Sequence, residues 1–239
     1  MNGESIAERI ERVRARIAAA CARAGRSPES VRLVAVSKTH PPESVAAAAA
    51  CGLTVFGENR VQEAAAKIPL CPGHIEWHLV GHLQSNKARA AVSLFHTIHS
   101  VDSADLLRRL DRIAAEEGRR PRVLFEFNVS GESSKFGLKP EALPDVLAAA
   151  GECRSVEPVG LMTIPPISED PERARGFFHA LRALRDRARA ESGFELPELS
   201  MGMSHDFEIA IEEGATMVRV GTDIFGPRPR REPEGEAYP

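Results

Sequence analysis

The sequence predicts a single-domain α/β protein, a (β/α)8 barrel of the TIM type with one extra helix at its N-terminus. Three observations carry this expectation. Strand-like apolar runs alternate with helical runs about eight times along residues 32–226. The strand runs are apolar on both faces, as parallel strands covered on both sides require. The links are mostly short, and eight repeats in roughly 200 residues suit a closed barrel better than an open doubly wound sheet.

The first segment is an amphipathic helix, since Ile6, Ile10, Val13 and Ile17 recur at spacings of four, three and four. It is extra to the repeat and is expected to pack against the barrel. Strands follow at RLVAVSKT (32–39), LTVFGEN (53–59), IEWHLVGHL (75–83) and FHTIHSVD (95–102). Four more read RVLFEFNVS (122–130), VEPVGLMTI (156–164), ELSMGMS (198–204) and MVRVGTDIFG (217–226). The helices between them carry boundary signals: PPESVAAAAACG opens on proline and closes on glycine, and SADLLRRLDRIAAEEG has a serine cap and a closing glycine. In DPERARGFFHALRALRDRARAESG, Phe177, Leu181 and Leu184 mark the apolar face. No linker interrupts the pattern, so residues 1–228 read as one domain. The proline- and charge-rich residues 229–239 are expected to be a disordered tail.

Composition narrows the function. A net charge of −3 and an isoelectric point near 6.3 argue against a nucleic-acid partner. Four scattered cysteines without a CxxC pair fit a reducing cytoplasm. The charged first helix is no signal peptide, and the longest apolar run, residues 45–56, is too short to span a bilayer. His74, His78 and His82 recur every four residues. On a strand that spacing covers about 13 Å, too far for one metal ion, so no metal site is expected.

Function in such a barrel collects at the C-terminal ends of the strands. Those ends deliver Lys38, Glu58 and Asn59, His82, Asp102, residues 128–130, Thr163, residues 200–204 (Ser200 to Ser204) and residues 219–222 (Arg219 to Thr222) to the mouth. Lys38 ends the run VAVSK on the strand face of Val34 and Val36, where a charge is costly to desolvate. Full burial lowers a lysine pKa by as much as about 3–5 units, and a neutral amine is a nucleophile suited to a Schiff base. The carbonyl belongs either to a substrate sugar, as in class I aldolases, or to pyridoxal phosphate. Both need a phosphate cradle. Ser204 supplies an N-cap ahead of a helix in SMGMSHDFEIAIEEG, and Gly221 and Thr222 lie at the adjacent strand end. Arg219, between Val218 and Val220, needs an acceptor when buried. It forms either a structural ion pair or a bond to the ring nitrogen of pyridoxal, which a permanently charged guanidinium would leave unprotonated. Lys135 in GESSKFG reads as an exposed loop residue and is the competitor of Lys38.

The segments AVSKTHP, FGENRVQE, WHLVGHLQSNK, NVSGESSKFG, GLMTIPP and LSMGMSHDFEIAIEEGATMVRVGTDIFG resemble the pyridoxal phosphate homeostasis protein family. The resemblance spans residues 4–228, and those proteins are single-domain and similar to the N-terminal barrel of alanine racemase. It implies that Lys38 holds pyridoxal 5′-phosphate as a Schiff base, with Arg219 facing the pyridine nitrogen. Ser204, Gly221 and Thr222 would hold the phosphate, and Asn59 would lie beside the ring. The implied function is a cofactor carrier and regulator in vitamin B6 balance, with no established turnover and with apo-enzymes as recipients. Arg60 stands where many relatives have tyrosine. Racemases dimerise partly through a C-terminal β domain that has no counterpart here, so a monomer is expected. The alternative is a small single-domain racemase using His82 or His205 as second base. The only tyrosine, Tyr238, falls in the expected tail. A class I aldolase using Lys38 without any cofactor is a more distant alternative.

Overall fold

The computed structural model describes residues 4–132 and 135–227. Eight parallel strands close into a barrel in sequence order, with the eighth pairing the first. They are β1 Arg32–Val36, β2 Val55–Glu58, β3 Glu76–Leu79, β4 Thr97–Val101, β5 Arg122–Glu126, β6 Glu157–Met162, β7 Glu198–Met203 and β8 Met217–Val220. The extra helix α1, Ile6–Arg23, comes first. Each strand is followed by a helix: α2 Pro42–Ala50, α3 Val61–Lys67, α4 Ala88–Leu94, α5 Ala104–Glu117, α6 Leu143–Glu152, α7 Arg175–Ser192, α8 Phe207–Glu212 and α9 Thr222–Phe225. This is the TIM-type barrel expected. The expected tail, residues 229–239, lies outside the described residues.

Every strand stops before its apolar run does. β1 ends at Val36 rather than Thr39, and β8 ends at Val220, so residues 222–225 form a helical turn where a strand was expected. Residues on the rim of the mouth still pack against the barrel, and an apolar run does not distinguish them from ladder residues.

Helix α1 starts at a capping box between Ser5 and Glu8 and buries Ile10, Val13, Ile17, Ala20 and Cys21. Arg16 ties it to the last two helices: Nε lies 3.2 Å from Glu208 Oε1 and Nη1 2.5 Å from Asp223 Oδ2. The caps of α5 are those expected, with Ser103 Oγ accepting from the Leu106 N–H at 3.2 Å and Gly118 at φ 60°. The buried face of α7 is shifted by one residue. Phe178 is buried with Leu181, Leu184 and Ala188, while Phe177 is half-buried. Two adjacent phenylalanines, three and four residues before Leu181, satisfy helical spacing equally well, and only packing against the strands selects between them.

The main apolar core lies between strands and helices. The lumen is different. Arg32, Glu76, Arg122 and Glu198 are the first residues of β1, β3, β5 and β7. Arg32 Nη1 and Arg122 Nη1 each lie 3.6 Å from Glu76 Oε1, and Arg122 Nη2 lies 3.1 Å from Glu198 Oε1. Strands that are not neighbours meet only through the lumen, so these four side chains form an ionic floor. One layer built from alternate strands is the packing rule of such barrels. Two residues further along the same strands stand Val34, His78, Leu124 and Ser200, on the same face because side chains alternate.

Among the described residues no helix is long and apolar enough to cross a membrane, and no cluster of three His, Cys, Asp or Glu side chains is placed to hold a metal ion. The shift in α7 is testable by urea unfolding. Phe178→Ala is expected to cost about 3–5 kcal/mol and Phe177→Ala less than half as much. Equal costs would place the buried face elsewhere.

Candidate functional site

Strands β1 and β8 are paired with Val34 opposite Arg219 and Ala35 opposite Val220. Their ends therefore reach the same part of the mouth, and both Lys38 and Arg219 line a cavity of about 290 Å³ there. Asn59, Ser204, Gly221 and Thr222 line it as well, so all six sequence-predicted residues come together. Val36, Val80, Ile164 and Met203 supply apolar wall.

Lys38 lies beyond the end of β1 and is half-buried. The next residue, Thr39, has φ 66°, a left-handed conformation that a β-branched residue adopts only when its surroundings impose it. Those surroundings form a clamp. Alternation along the strands turns Ser37 and Glu58 away from the lumen, and Lys67 at the end of α3 reaches both. Its Nζ donates to the Ser37 carbonyl at 2.8 Å, to Glu58 Oε1 at 2.7 Å and to Glu63 Oε1 at 3.0 Å. Ser37 Oγ donates to Glu58 Oε1 at 2.6 Å, and the Thr39 N–H donates to Glu63 Oε1. Lys67 is 5% exposed and Glu58 fully buried. Burial pushes the Glu58 carboxyl up, while its bonds to Lys67 and Ser37 pull it back. Glu58 thus supports the site from outside the barrel and does not enter the mouth.

Arg219 is 4% exposed. Nη1 donates to Ser200 Oγ at 2.6 Å and Nη2 to the Thr163 carbonyl at 2.9 Å. Both partners are uncharged, so its hydrogen bonds are not those of an ion pair. Burial pulls its pKa down to about 10, against the opposing pull of Asp206 and Glu126, which leaves it charged at neutral pH. Glu126, at the end of β5, is 6% exposed, and its Oε2 has no hydrogen-bond partner. Burial and the neighbouring Asp102 push this carboxyl up to about 7, with Arg219 acting the other way.

Ser204 lines the cavity but does not cap α8. The cap position is Asp206, whose Oδ1 accepts from the Met203 N–H at 2.7 Å, so the turn closes two residues later than its serine suggests. Two glycines let backbone close up around the cavity. A Cβ at Gly81 would lie 2.4 Å from the Asn59 carbonyl oxygen, and one at Gly221 would lie 3.0 Å from that of Val36.

The remaining candidates are distributed around the rim. His205 lines the cavity and is exposed. His82 stacks on Phe136 with centroids 3.8 Å apart and places Nδ1 3.2 Å from Asp102 Oδ2. With Arg60 it lines a neighbouring open groove of about 540 Å³. Lys135 is not the exposed residue expected: it is half-buried, and its Nζ donates to the Pro165 carbonyl at 3.0 Å. Tyr238 lies outside the described residues. Sequence reasoning missed Lys67, Glu126, His78 and His99, and it placed Ser200 at a strand end without giving it a role. Only Lys67 carried a signal, since Val61, Ala64 and Lys67 fall at steps of three on the buried face of α3.

A lysine after β1 and a buried arginine on β8 at one barrel mouth define a class, and the family described as "Alanine racemase, N-terminal domain" matches residues 9–229. Within that class, the chain belongs to the pyridoxal phosphate homeostasis protein family. A relative of that name in Aquifex aeolicus is 46% identical over 222 residues, covering 92% of this chain and 97% of its own. Another in Pseudomonas aeruginosa is 43% identical over 226 residues, covering 94% and 96%. The structure of PipY from Synechococcus elongatus, 41% identical, aligns over 93% of this chain and 100% of its own. Its TM-score is 0.85 without PLP and 0.81 with PLP bound. An alanine racemase of Clostridium difficile aligns over 91% of this chain and 60% of its own with TM-score 0.69 at 13% identity, a likeness of fold.

Lys67→Met is expected to destabilise the protein by about 3–5 kcal/mol, because it strands a buried carboxylate. A second change, Glu58→Leu, should recover part of that loss in the same urea titration. Glu126 adds a pH dependence with a definite sign. Its folded pKa of about 7 exceeds the ordinary 4.5, so between those values the folded state holds a proton that the unfolded state releases. Its stabilisation is complete below about pH 4.5 and is lost as pH rises through 7, a span of about 3 kcal/mol. Glu126→Gln should flatten that part of the stability profile, and an unchanged slope would remove Glu126 as its source.

Proposed function

We propose that this protein holds pyridoxal 5′-phosphate in the mouth cavity and serves vitamin B6 homeostasis as a carrier without turnover. One observation carries the reading: Lys38 and Arg219, delivered by paired strands, line the same cavity with Ser204, Gly221 and Thr222. The names of the relatives and the PLP-bound PipY structure support it. The donor set fits the cofactor. An amine at Lys38 suits its aldehyde, as a Schiff base, and a charged guanidinium at Arg219 suits its ring nitrogen. The Ser204 and Thr222 hydroxyls and the first N–H groups of α9, which have no partner within that turn, suit its phosphate. Asn59, which lines the same cavity, would lie beside the ring. Gly221 keeps side-chain bulk away from β1, where a Cβ would press on the Val36 carbonyl.

Pyridoxal phosphate supplies an electrophilic aldehyde and an electron-withdrawing ring. The protein would bind and orient it, and Arg219 facing the ring nitrogen would leave that nitrogen unprotonated and hence a weak electron sink. That favours storage and delivery to apo-enzymes over amino-acid chemistry. A racemase needs a second base facing the cofactor. His205 lines the cavity only as an exposed side chain, and His82 is committed to Asp102 and Phe136.

Purified protein mixed with pyridoxal phosphate is expected to show a visible band that borohydride abolishes, with the reduced cofactor mapped to Lys38. Lys38→Ala should lack that band. A colourless wild type would overturn the reading, and solvent deuterium entering the α-carbon of alanine would replace the carrier with a racemase.

A further inference from the structure

A line of hydrogen bonds runs through the barrel from its ionic floor to Arg219. Glu76 Oε1 lies 2.9 Å from His78 Nε2, His78 Nδ1 lies 2.9 Å from His99 Nε2, and His99 Nδ1 lies 2.8 Å from Ser200 Oγ. Ser200 Oγ in turn accepts from Arg219 Nη1 at 2.6 Å. His78, His99 and Ser200 are fully buried.

The direction of every proton in this line follows from its ends. The His78 N–H bond, with Arg32 and Arg122 beside it, holds the Glu76 carboxyl down to about 2, so Glu76 can only accept. Burial holds both imidazoles below their ordinary pKa. The titratable and charged groups facing His78 are Glu76, Arg122 and Arg32, and those facing His99 are His78, Arg219, Arg122 and Arg32. Each ring is neutral and has one N–H. His78 gives its Nε2–H to Glu76, so its bare Nδ1 accepts from His99 Nε2–H. His99 Nδ1 is then bare and accepts the Ser200 O–H. Ser200 Oγ is left to accept, and Arg219, which has no acceptor of its own, supplies the donor. Four bonds point the same way, from a cation at the mouth to an anion at the floor.

We propose that Ser200, His99, His78 and Glu76 are positioning residues for Arg219, a one-way chain of donors that fixes which edge of the guanidinium faces the cavity. The Thr163 carbonyl holds the second amino group, so the remaining N–H donors are presented to one ligand acceptor in one orientation. The chain achieves this with neutral partners. A carboxylate hydrogen-bonded to Arg219 would compete with that ligand acceptor for the same donors. This inference rests on the cavity being a pyridoxal phosphate site, with the ring nitrogen as that acceptor.

Two measurements test it. In ¹⁵N-histidine-labelled protein without cofactor, long-range ¹H–¹⁵N spectra should show His78 and His99 as neutral Nε2–H tautomers from pH 7 to pH 9, assigned by His78→Gln and His99→Gln. An Nδ1–H tautomer, or titration in that range, overturns the chain. With pyridoxal phosphate, Ser200→Ala should shift the absorption maximum of the bound cofactor and release it about tenfold faster, the loss of one hydrogen bond to a charged group. Ser200→Thr, which keeps the hydroxyl, should restore both. If wild type binds the cofactor and Ser200→Ala matches its spectrum and release rate, the positioning role is overturned alone. If wild type binds none, the reading of the cavity falls and takes the inference with it.

Discussion

Arg219 is a charge that cannot be put down, held 4% exposed at the end of a barrel lumen. A guanidinium keeps its proton under all ordinary conditions, so the structure has to supply acceptors for it. It supplies the Thr163 carbonyl and the Ser200 hydroxyl. The hydroxyl can accept only if its own proton goes elsewhere, which requires an acceptor at His99, then one at His78, then an anion. The polar interior between β3, β4, β7 and β8 follows from that single requirement. The apolar groups of the lumen, such as Val34, Val80 and Met217 on one side and Leu124 and Met162 on the other, fill the space that the chain leaves.

The lysine side of the site uses the opposite strategy. Lys38 is aimed by a clamp of full charges, Lys67 against Glu58 and Glu63, placed outside the barrel under α3. Such a buried pair contributes little net stability when intact and costs a great deal when halved, so its value lies in fixing one geometry. That geometry includes a threonine at positive φ immediately after Lys38, a conformation the chain does not keep unless held. Charged support is tolerable here because Lys67 faces away from the cavity and is satisfied by three acceptors. Around Arg219 it would compete with the ligand, and there the protein uses neutral dipoles.

The layout of strands and helices was legible because burial on both faces and helical spacing each leave a period in the sequence. The six cavity residues were legible because barrel strands deliver their ends to one place. What stayed hidden depends on which strand faces which. His78 reads within EWHL as an interrupted apolar run, and His99 within TIHSV likewise. Nothing in either segment says that β3, β4 and β7 bring them into line with Ser200. Phe177 and Phe178 differ only in what the strands offer them. Ser204 looked like a cap because Asp206, two residues on, competes for the same role. Lys67 was the recoverable omission: a lysine three residues from Ala64 and six from Val61 lies on an apolar face, where a cation needs a partner.

The charge balance of the lumen points to the chemistry of its ligand. At the floor, Arg32 and Arg122 stand against Glu76 and Glu198, two cations with two anions. The donor chain above the floor is neutral along its length, so it transfers orientation without adding charge. At the mouth stand Lys38 and Arg219, and the carboxylates nearest Arg219 are Asp206 and Glu126. Burial pushes Glu126 to about 7, so near neutral pH it contributes only part of a negative charge. Arg219 itself donates only to a hydroxyl and a carbonyl, in a low-dielectric setting where a charge is felt strongly. The interior is polar for that reason: Arg219 stays charged, and the barrel holds it with neutral acceptors that leave its remaining donors for a ligand acceptor to meet.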